Sequence, residues 1–170
     1  MHDRKAQELL AQKKPELAAK EFAAALEIDP RNLAQANLGV LLFFQKNYAG
    51  AEPLLRSVVD QRPALTKIRA LLGMCERHMG KTSLARADLE AVVPALQDPN
   101  ARLNAGLELI EIYTATGELE KAAALVALLR QGASVDPRVL YTANRIYTEL
   151  AEEEARKLAV TAPVPGRCIW

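Results

Sequence analysis

Residues 38–58 read LGVLLFFQKNYAGAEPLLRSV, and residues 72–92 read LGMCERHMGKTSLARADLEAV, which is the same pattern 34 positions later. Each stretch opens on Leu-Gly and carries an alanine, a leucine and a valine at matching positions: Ala51, Leu55 and Val58, then Ala85, Leu89 and Val92. A repeat of this length indicates stacked supersecondary units, each of which needs a neighbour to bury its apolar face. The chain is therefore expected to present a binding surface rather than a catalytic pocket.

The alanine of this pattern occurs four times, at spacings of 33, 34 and 37 residues, as Ala18, Ala51, Ala85 and Ala122. A larger apolar residue follows each alanine by four positions: Phe22, Leu55, Leu89 and Val126. This spacing places a small and a large side chain on one face of a helix. Small residues, including Gly39 and Gly73 of the Leu-Gly pairs, would let neighbouring helices approach closely, while the larger residues fill the gaps between them.

Each unit is predicted to contain two antiparallel helices joined by a short turn. The predicted helices cover 4–12, a stretch beginning at Pro15, and then 33–44, 49–59, 65–79, 83–93, 101–116 and 119–130. Gly80 and Gly117 stand where a helix closes with a residue in the left-handed conformation. Pro94 is expected to end or bend its helix, because proline lacks the amide hydrogen that a helix interior requires.

Three Asp-Pro pairs, at 29–30, 98–99 and 136–137, are expected to separate units, because aspartate caps a helix and proline suits its first turn. The predicted organisation is four units, a C-terminal capping helix and a disordered tail: 1–30, 31–63, 64–99, 100–136, 137–160 and 161–170. The helical pattern after Pro137 runs over 139–160. It is interpreted as one helix, and the alternative is a fifth pair broken near 149–151.

The composition allows a core and disfavours several classes of function. Half of the 170 residues are hydrophobic, a quarter are charged and only 5% are aromatic, with alanine and leucine abundant, which favours packed helices over sheets. A net charge of +1 argues against nucleic-acid binding, which depends largely on neutralising phosphates. No apolar run reaches the ~18 residues of a membrane span. The N-terminus lacks an apolar signal segment, so the sequence as written predicts a cytoplasmic protein.

Catalysis is not predicted. His2 and His78 lack the cysteine or carboxylate spacing of a metal site, and the sequence contains neither a phosphate-binding glycine loop nor a nucleophile elbow. Cys75 is interpreted as a small buried hydrophobe beside Gly73. The chain is expected to need no cofactor and to be no enzyme.

The repeated residues resemble the tetratricopeptide repeat. The second unit matches that pattern at eight positions: Leu38, Gly39, Leu42, Tyr48, Ala51, Leu55, Val58 and Pro63. The resemblance covers about residues 6–130 and departs at Ile110, where the pattern has a small residue. It implies an all-α, right-handed α-solenoid of about four helix-turn-helix repeats plus the C-terminal capping helix. In such a solenoid the first helices line a concave groove and the second helices form the convex back.

The groove implied by the resemblance is the predicted binding site for a partner peptide or helix. Its candidate residues lie on three first helices: Asn37, Val40, Phe44, Lys67, Met74, Arg77, His78 and Glu111. Apolar patches beside separate positive groups suit a peptide that carries an acid near a hydrophobic anchor. The alternative for Phe43, Phe44 and Met74 is that they pack against an adjacent repeat or the N-terminal helix.

One specialised form of the family clamps a C-terminal carboxylate with polar groups from three repeats. Asn37 and Lys67 match two of those positions. Leu71 replaces a basic residue of the clamp, and Asp3 stands where the clamp has a lysine and would repel a carboxylate. The sequence therefore disfavours the clamp.

Two further interpretations stay open. In one interpretation the chain is part of a larger protein in which the repeats act as a spacer or recruiting arm for an enzyme or an export machine. Its first repeat starts within the pattern and its tail 164–170 is apolar, whereas solenoids need polar caps for solubility. The other interpretation is self-association through the unfinished solenoid ends.

Overall fold

The computed structural model describes residues 2–28, 34–131 and 136–161, and these residues form helices and turns with no strand. The helices follow one another as antiparallel pairs. Their bounds are α1 His2–Ala11, α2 Pro15–Ile28, α3 Ala34–Phe44, α4 Tyr48–Gln61, α5 Thr66–His78, α6 Thr82–Val92, α7 Pro99–Ala115, α8 Leu119–Leu129 and α9 Pro137–Thr161, with a short 3-10 turn Val93–Ala95 after α6. We call α1, α3, α5 and α7 the first helices and α2, α4, α6 and α8 the second helices.

The chain divides into two compact units, an N-terminal unit over residues 1–109 and a C-terminal unit over residues 110–170. In the N-terminal unit, α1 packs on α2, α3 on α4 and α5 on α6. Successive pairs are joined where α2 packs on α3 and α4 on α5, and the first helices α3 and α5 also touch each other. Each pair is thus covered by the next, as the repeated pattern predicts.

The glycines of the two Leu-Gly pairs allow the paired helices to approach closely. A Cβ atom on Gly39 would lie 2.9 Å from Cδ2 of Leu55, and one on Gly73 would lie 2.8 Å from Cγ of Leu89. Both leucines are fully buried. The predicted fit of a small residue on the first helix against a large residue on the second is therefore confirmed in both pairs.

The turns inside the pairs share one backbone conformation. Gly80 and Gly117 have positive φ angles of 76° and 74°, as predicted, and Lys13 and Lys46 have positive φ angles of 57° and 61°. These four residues each precede a repeated alanine by five positions, so the turn recurs with the period of the sequence. Only glycine adopts this conformation without a steric penalty, so the two lysine turns are strained.

The Asp-Pro boundaries behave as helix starts. Oδ1 of Asp98 accepts hydrogen bonds from the amides of Asn100 and Ala101, both at 3.0 Å, and Oδ1 of Asp136 accepts one from the amide of Arg138 at 2.8 Å. Helices α7 and α9 begin at the prolines themselves, two residues before the predicted starts at 101 and 139. The pair at 29–30 lies outside the described residues.

Pro94 ends α6 as predicted. The helix stops at Val92 and the chain continues through the 3-10 turn that contains Pro94, after which Leu96 is fully buried. The guanidinium of Arg102 donates to the carbonyl oxygen of Leu96 at 2.7 Å and so fixes the loop before α7.

The C-terminal unit contains the end of α7 together with α8 and α9, and α8 packs on α9. Ile110 replaces the glycine of the pattern and is fully buried, as is Val126 four residues after the repeated alanine Ala122. Helix α9 is one continuous helix of 25 residues, so no break occurs at 149–151. The predicted disordered tail lies outside the described residues beyond Thr161.

The glycine contact predicts the effect of adding one methyl group. Gly73→Ala should lower the free energy of unfolding by about 1–2 kcal/mol, because overpacking against Leu89 outweighs the better helix propensity of alanine. Urea denaturation followed by circular dichroism measures this difference. In a Leu89→Ala background the same methyl has room and should cost nothing further, so an equal loss in both backgrounds would show that this contact is not the cause.

The turn conformation predicts opposite effects for two exchanges. Lys46→Gly should raise the free energy of unfolding by about 1 kcal/mol, because it removes a side chain from a residue with positive φ. Gly80→Ala should lower the free energy of unfolding by a similar amount, because it adds a side chain at such a residue. The space around Gly80 is open, with no atom within 4 Å of an added Cβ, so packing does not contribute to its loss. Thermal melts of both variants beside the parent chain test the pair. Equal melting temperatures for all three would refute it.

Candidate protein-interaction surface

The candidate residues fall on the first helices, as the sequence predicts. Seven of them lie in the N-terminal unit, on α3 or α5: Asn37, Val40, Phe44, Lys67, Met74, Arg77 and His78. The eighth, Glu111, lies in the C-terminal unit. We call the surface formed by the seven the first-helix face.

Phe44 is the most exposed large apolar residue of this face, with 72% of its surface accessible. It is the last residue of α3. Its ring meets the ring of Phe43 edge-on, with centroids 5.4 Å apart, and Phe43 in turn meets Tyr48 edge-on at 5.7 Å. Phe44 therefore does not pack into an adjacent repeat but stands on a support of half-buried aromatic residues.

His78 extends this support from the neighbouring helix pair. Its ring stacks on Tyr48, with centroids 4.4 Å apart and planes inclined by 10°. We call Phe43, Phe44, Tyr48 and His78 the aromatic cluster. The cluster joins the end of α3, the start of α4 and the end of α5, so the positions of these three helix ends are coupled.

Arg77 is held beside the aromatic cluster by an ion pair. Its Nη1 lies 2.7 Å from Oε2 of Glu108, and Nε2 of His78 lies 3.9 Å from the other oxygen of the same carboxylate. Glu108 belongs to α7 within the N-terminal unit. Arg77 is therefore fixed in position and partly neutralised rather than a free cation.

Lys67 has the same arrangement at the other end of α5. Its Nζ lies 2.8 Å from Oδ2 of Asp98. This hydrogen bond, reinforced by the amide of Ala101, lowers the pKa of Asp98 below its usual value. Lys67 thus completes the cap of α7 as well as facing the surface.

Three of the predicted groove residues add little to the exposed first-helix face. Met74 and Val40 are buried or half-buried, and Glu111 belongs to the C-terminal unit. Met74 is buried, with 8% of its surface exposed, and Val40 is half-buried against the core of α4 and α5. Glu111 accepts a hydrogen bond from Nη2 of Arg145 at 2.5 Å within the C-terminal unit. Met74 therefore packs inward, as the alternative for that residue stated, while Asn37 is half-buried on α3.

The sequence did not predict the ion-pair network that links α4, α5 and the turn after α5. Glu76 is fully buried and pairs with Arg56, and Glu52 accepts from Nζ of Lys81 at 2.7 Å. Nη2 of Arg56 also lies 3.6 Å from Glu52. The signal for the burial of Glu76 is its spacing, four residues after the buried Leu72 on the same helical face.

Cys75 is buried among the core residues beside this network, as predicted. Burial raises the pKa of its thiol to about 11, and the negative charge of Glu52 adds to the effect. The thiol is therefore protonated near neutral pH. Such a cysteine packs as a hydrophobe and is a poor nucleophile.

The described residues contain neither a metal site nor a membrane-spanning helix. Within residues 2–28, 34–131 and 136–161, no three histidine, cysteine or carboxylate side chains come together in a way that could hold a metal ion. Over the same ranges, no helix combines the length and the apolar content needed to cross a lipid bilayer.

The sequence matches no protein-family model and no curated protein. The fold is similar to solved structures over most of the chain. The structure of pilF from Pseudomonas aeruginosa has a TM-score of 0.73 at 24% identity and covers 90% of this chain and 69% of that one. MamA has a TM-score of 0.74 at 18% identity, with 89% and 88% covered. Yeast Tom70 has a TM-score of 0.56 at 13% identity, with 94% and 39% covered.

These solved structures are tetratricopeptide-repeat proteins, and this chain has the tetratricopeptide-repeat fold. The resemblance and the all-α class predicted from the sequence are confirmed. At these identities the likeness is one of fold. The fold typically serves protein–protein interaction and is usually non-catalytic.

The environment of Cys75 predicts its reactivity. In a Cys168→Ser variant, the remaining thiol should react with an alkylating reagent at pH 8 far more slowly than a free cysteine, because about one thiol in a thousand is ionised and the group is buried. Denaturation in guanidinium should restore the ordinary rate. Rapid labelling of the folded variant at pH 8 would contradict the burial of Cys75.

Proposed function

We propose that the first-helix face of the N-terminal unit binds a segment of a partner protein and that the chain acts as a non-catalytic interaction scaffold. The observation that carries this proposal is Phe44, a large apolar side chain that is mostly exposed and whose ring meets that of Phe43 edge-on. An aromatic side chain has few rotatable bonds, so it can bury its surface in a partner at little cost in conformational entropy. Aromatic anchors of this kind are enriched in interfaces.

Ion pairs at the two ends of α5 support the same proposal. Arg77 and Lys67 are each held by a carboxylate of the next element, at 2.7 Å and 2.8 Å. Their remaining N–H groups keep fixed directions, and a partner that accepts hydrogen bonds from them need not order two long side chains. The face therefore offers an apolar anchor together with two preorganised polar groups, Arg77 beside the aromatic cluster and Lys67 at the other end of α5.

The absence of catalysis is part of the proposal. The one described cysteine, Cys75, is buried with a raised thiol pKa. The histidine on the face, His78, stacks on an aromatic ring and lies near a carboxylate, with neither a serine nor a cysteine among its described contacts. This arrangement suits recognition better than nucleophilic chemistry.

A partner captured from the source cell and identified by mass spectrometry provides the test. Its affinity for the parent chain should be near micromolar, about −8 kcal/mol. Phe44→Ala should weaken binding by about tenfold or more, because truncating a central aromatic anchor costs at least about 1.4 kcal/mol. Adding Arg77→Glu should weaken it further. Isothermal titration calorimetry with the purified partner measures both losses.

The matched control is Leu84→Ala combined with Lys20→Glu, which changes an exposed leucine on α6 and an exposed lysine on α2. Both lie on second helices, so the affinity should stay within about twofold of the parent. Melting temperatures are recorded for every variant, because Arg77→Glu removes the partner of Glu108. If Phe44→Ala alone leaves the affinity of a captured partner unchanged, the first-helix face is not the binding surface.

A further inference from the structure

The turns inside the three helix pairs of the N-terminal unit carry only positive charge. They read Gln-Lys-Lys at 12–14, Gln-Lys-Asn at 45–47 and Met-Gly-Lys at 79–81. Because successive helices alternate in direction, these three turns lie at the same end of the pairs. We call this end of the N-terminal unit the turn edge. Its charge contrasts with the interspersed acids and bases of the whole chain, whose net charge is +1.

The charges of the turn edge differ in how they are neutralised. Lys81 is paired with Glu52 at 2.7 Å. Lys14 donates only to the neutral amide of Gln12, at 3.2 Å, and no carboxylate among the described residues pairs with Lys13 or Lys46. All of these lysines except Lys81 are exposed. Uncompensated positive charge is therefore concentrated in the first and second turns.

The aromatic cluster lies at the same edge. Phe44 precedes Lys46 by two residues, and Tyr48 follows it by two as the first residue of α4. His78 ends α5, just before the third turn, and stacks on Tyr48. An exposed aromatic residue and a lysine without a carboxylate partner among the described residues thus lie two positions apart, at the junction of α3 and α4.

We propose that the turn edge is the docking site for an acidic peptide segment that carries one aromatic or large aliphatic residue. This inference rests on the proposed function, since Phe44 and His78 belong to the first-helix face, and it extends the binding site from the ends of α3 and α5 to the neighbouring turns. The apolar residue of the segment packs on Phe44, and its carboxylates lie near Lys46 and the Lys13–Lys14 turn. Charge complementarity selects this occupant over a neutral or basic one.

The same charges disfavour an anionic lipid surface. The carboxylate of Glu52 pairs with Lys81 in the third turn, and that of Glu108 pairs with Arg77 at the end of α5. A lipid surface would meet these acids together with the lysines, whereas a peptide can place its own acids opposite Lys46 and avoid Glu52. The peptide is therefore the occupant that the charge pattern fits.

Selection of displayed random peptides of about twelve residues against the full chain tests the proposal. Enriched peptides should share acidic residues and one aromatic or large aliphatic residue. The strongest of them is synthesised with a fluorescein label, and its dissociation constant is measured by fluorescence anisotropy. A second peptide, with every acid replaced by lysine, is expected to bind at least about tenfold more weakly.

Lys46→Gly is the decisive variant, because it removes the charge while relieving the positive φ of the lysine. It should weaken peptide binding by about three- to tenfold and yet raise the melting temperature, so loss of folding cannot explain the effect. Phe44→Ala should weaken binding by about tenfold or more. Lys20→Glu and Leu84→Ala should leave the dissociation constant within about twofold of the parent.

The other outcomes decide against the turn-edge proposal alone or against both the turn-edge and the first-helix-face proposals. If binding is lost in Phe44→Ala and in Asn37→Ala or Lys67→Glu but is unchanged in Lys46→Gly, the first-helix face binds peptides and the turn edge does not. Enriched peptides without acids also overturn the turn-edge proposal. If binding is lost only in Leu84→Ala or Lys20→Glu, or if no peptide is enriched, both proposals fail. Co-sedimentation with phosphatidylserine vesicles that displaces the peptide would identify lipid as the occupant.

Discussion

The close contact between a glycine on α3 or α5 and a leucine on the helix that follows it underlies the described fold of the second and third helix pairs. Gly39 and Gly73 have no room for a side chain, because Leu55 and Leu89 occupy the space where a Cβ atom would stand. Both leucines are fully buried in this contact, and burial of apolar surface contributes about 25 cal/mol per Å² to stability.

The parts of the structure that depend on side-chain size and helical period were predictable from the sequence. The Leu-Gly pairs, the repeated alanines, Pro94 and the left-handed Gly80 all act within one helix or between partners whose spacing repeats. The positive φ of Lys13 and Lys46 was not predicted, because glycine is the signal for that conformation and lysine carries none. Their position, five residues before a repeated alanine as for Gly80 and Gly117, is the sequence signal from which the left-handed conformation could have been predicted.

The ion pairs were not predictable for a different reason. Arg56 and Glu76 are 20 residues apart on neighbouring pairs, and many acids and bases of the chain could have met at such a distance. The packing of α4 on α5 determines which of these acids and bases form ion pairs. Removing Arg56 would leave the buried carboxylate of Glu76 without its cation, which is far costlier than removing both groups. A buried pair of this kind gives the two helix pairs a preferred register, in addition to any stability that it contributes.

The candidate surface shows how stability and binding can make opposite demands on one residue. Two of the four left-handed turn positions carry glycine, which is unstrained, and two carry lysine, which costs about 1 kcal/mol in that conformation. The strained pair belongs to the first two turns, where the unpaired charge lies and, in the second, beside the exposed Phe44. Glycine at position 46 would relieve the strain but would remove the positive charge of the second turn. In the proposed docking site, the charge of Lys46 is the gain that offsets this strain.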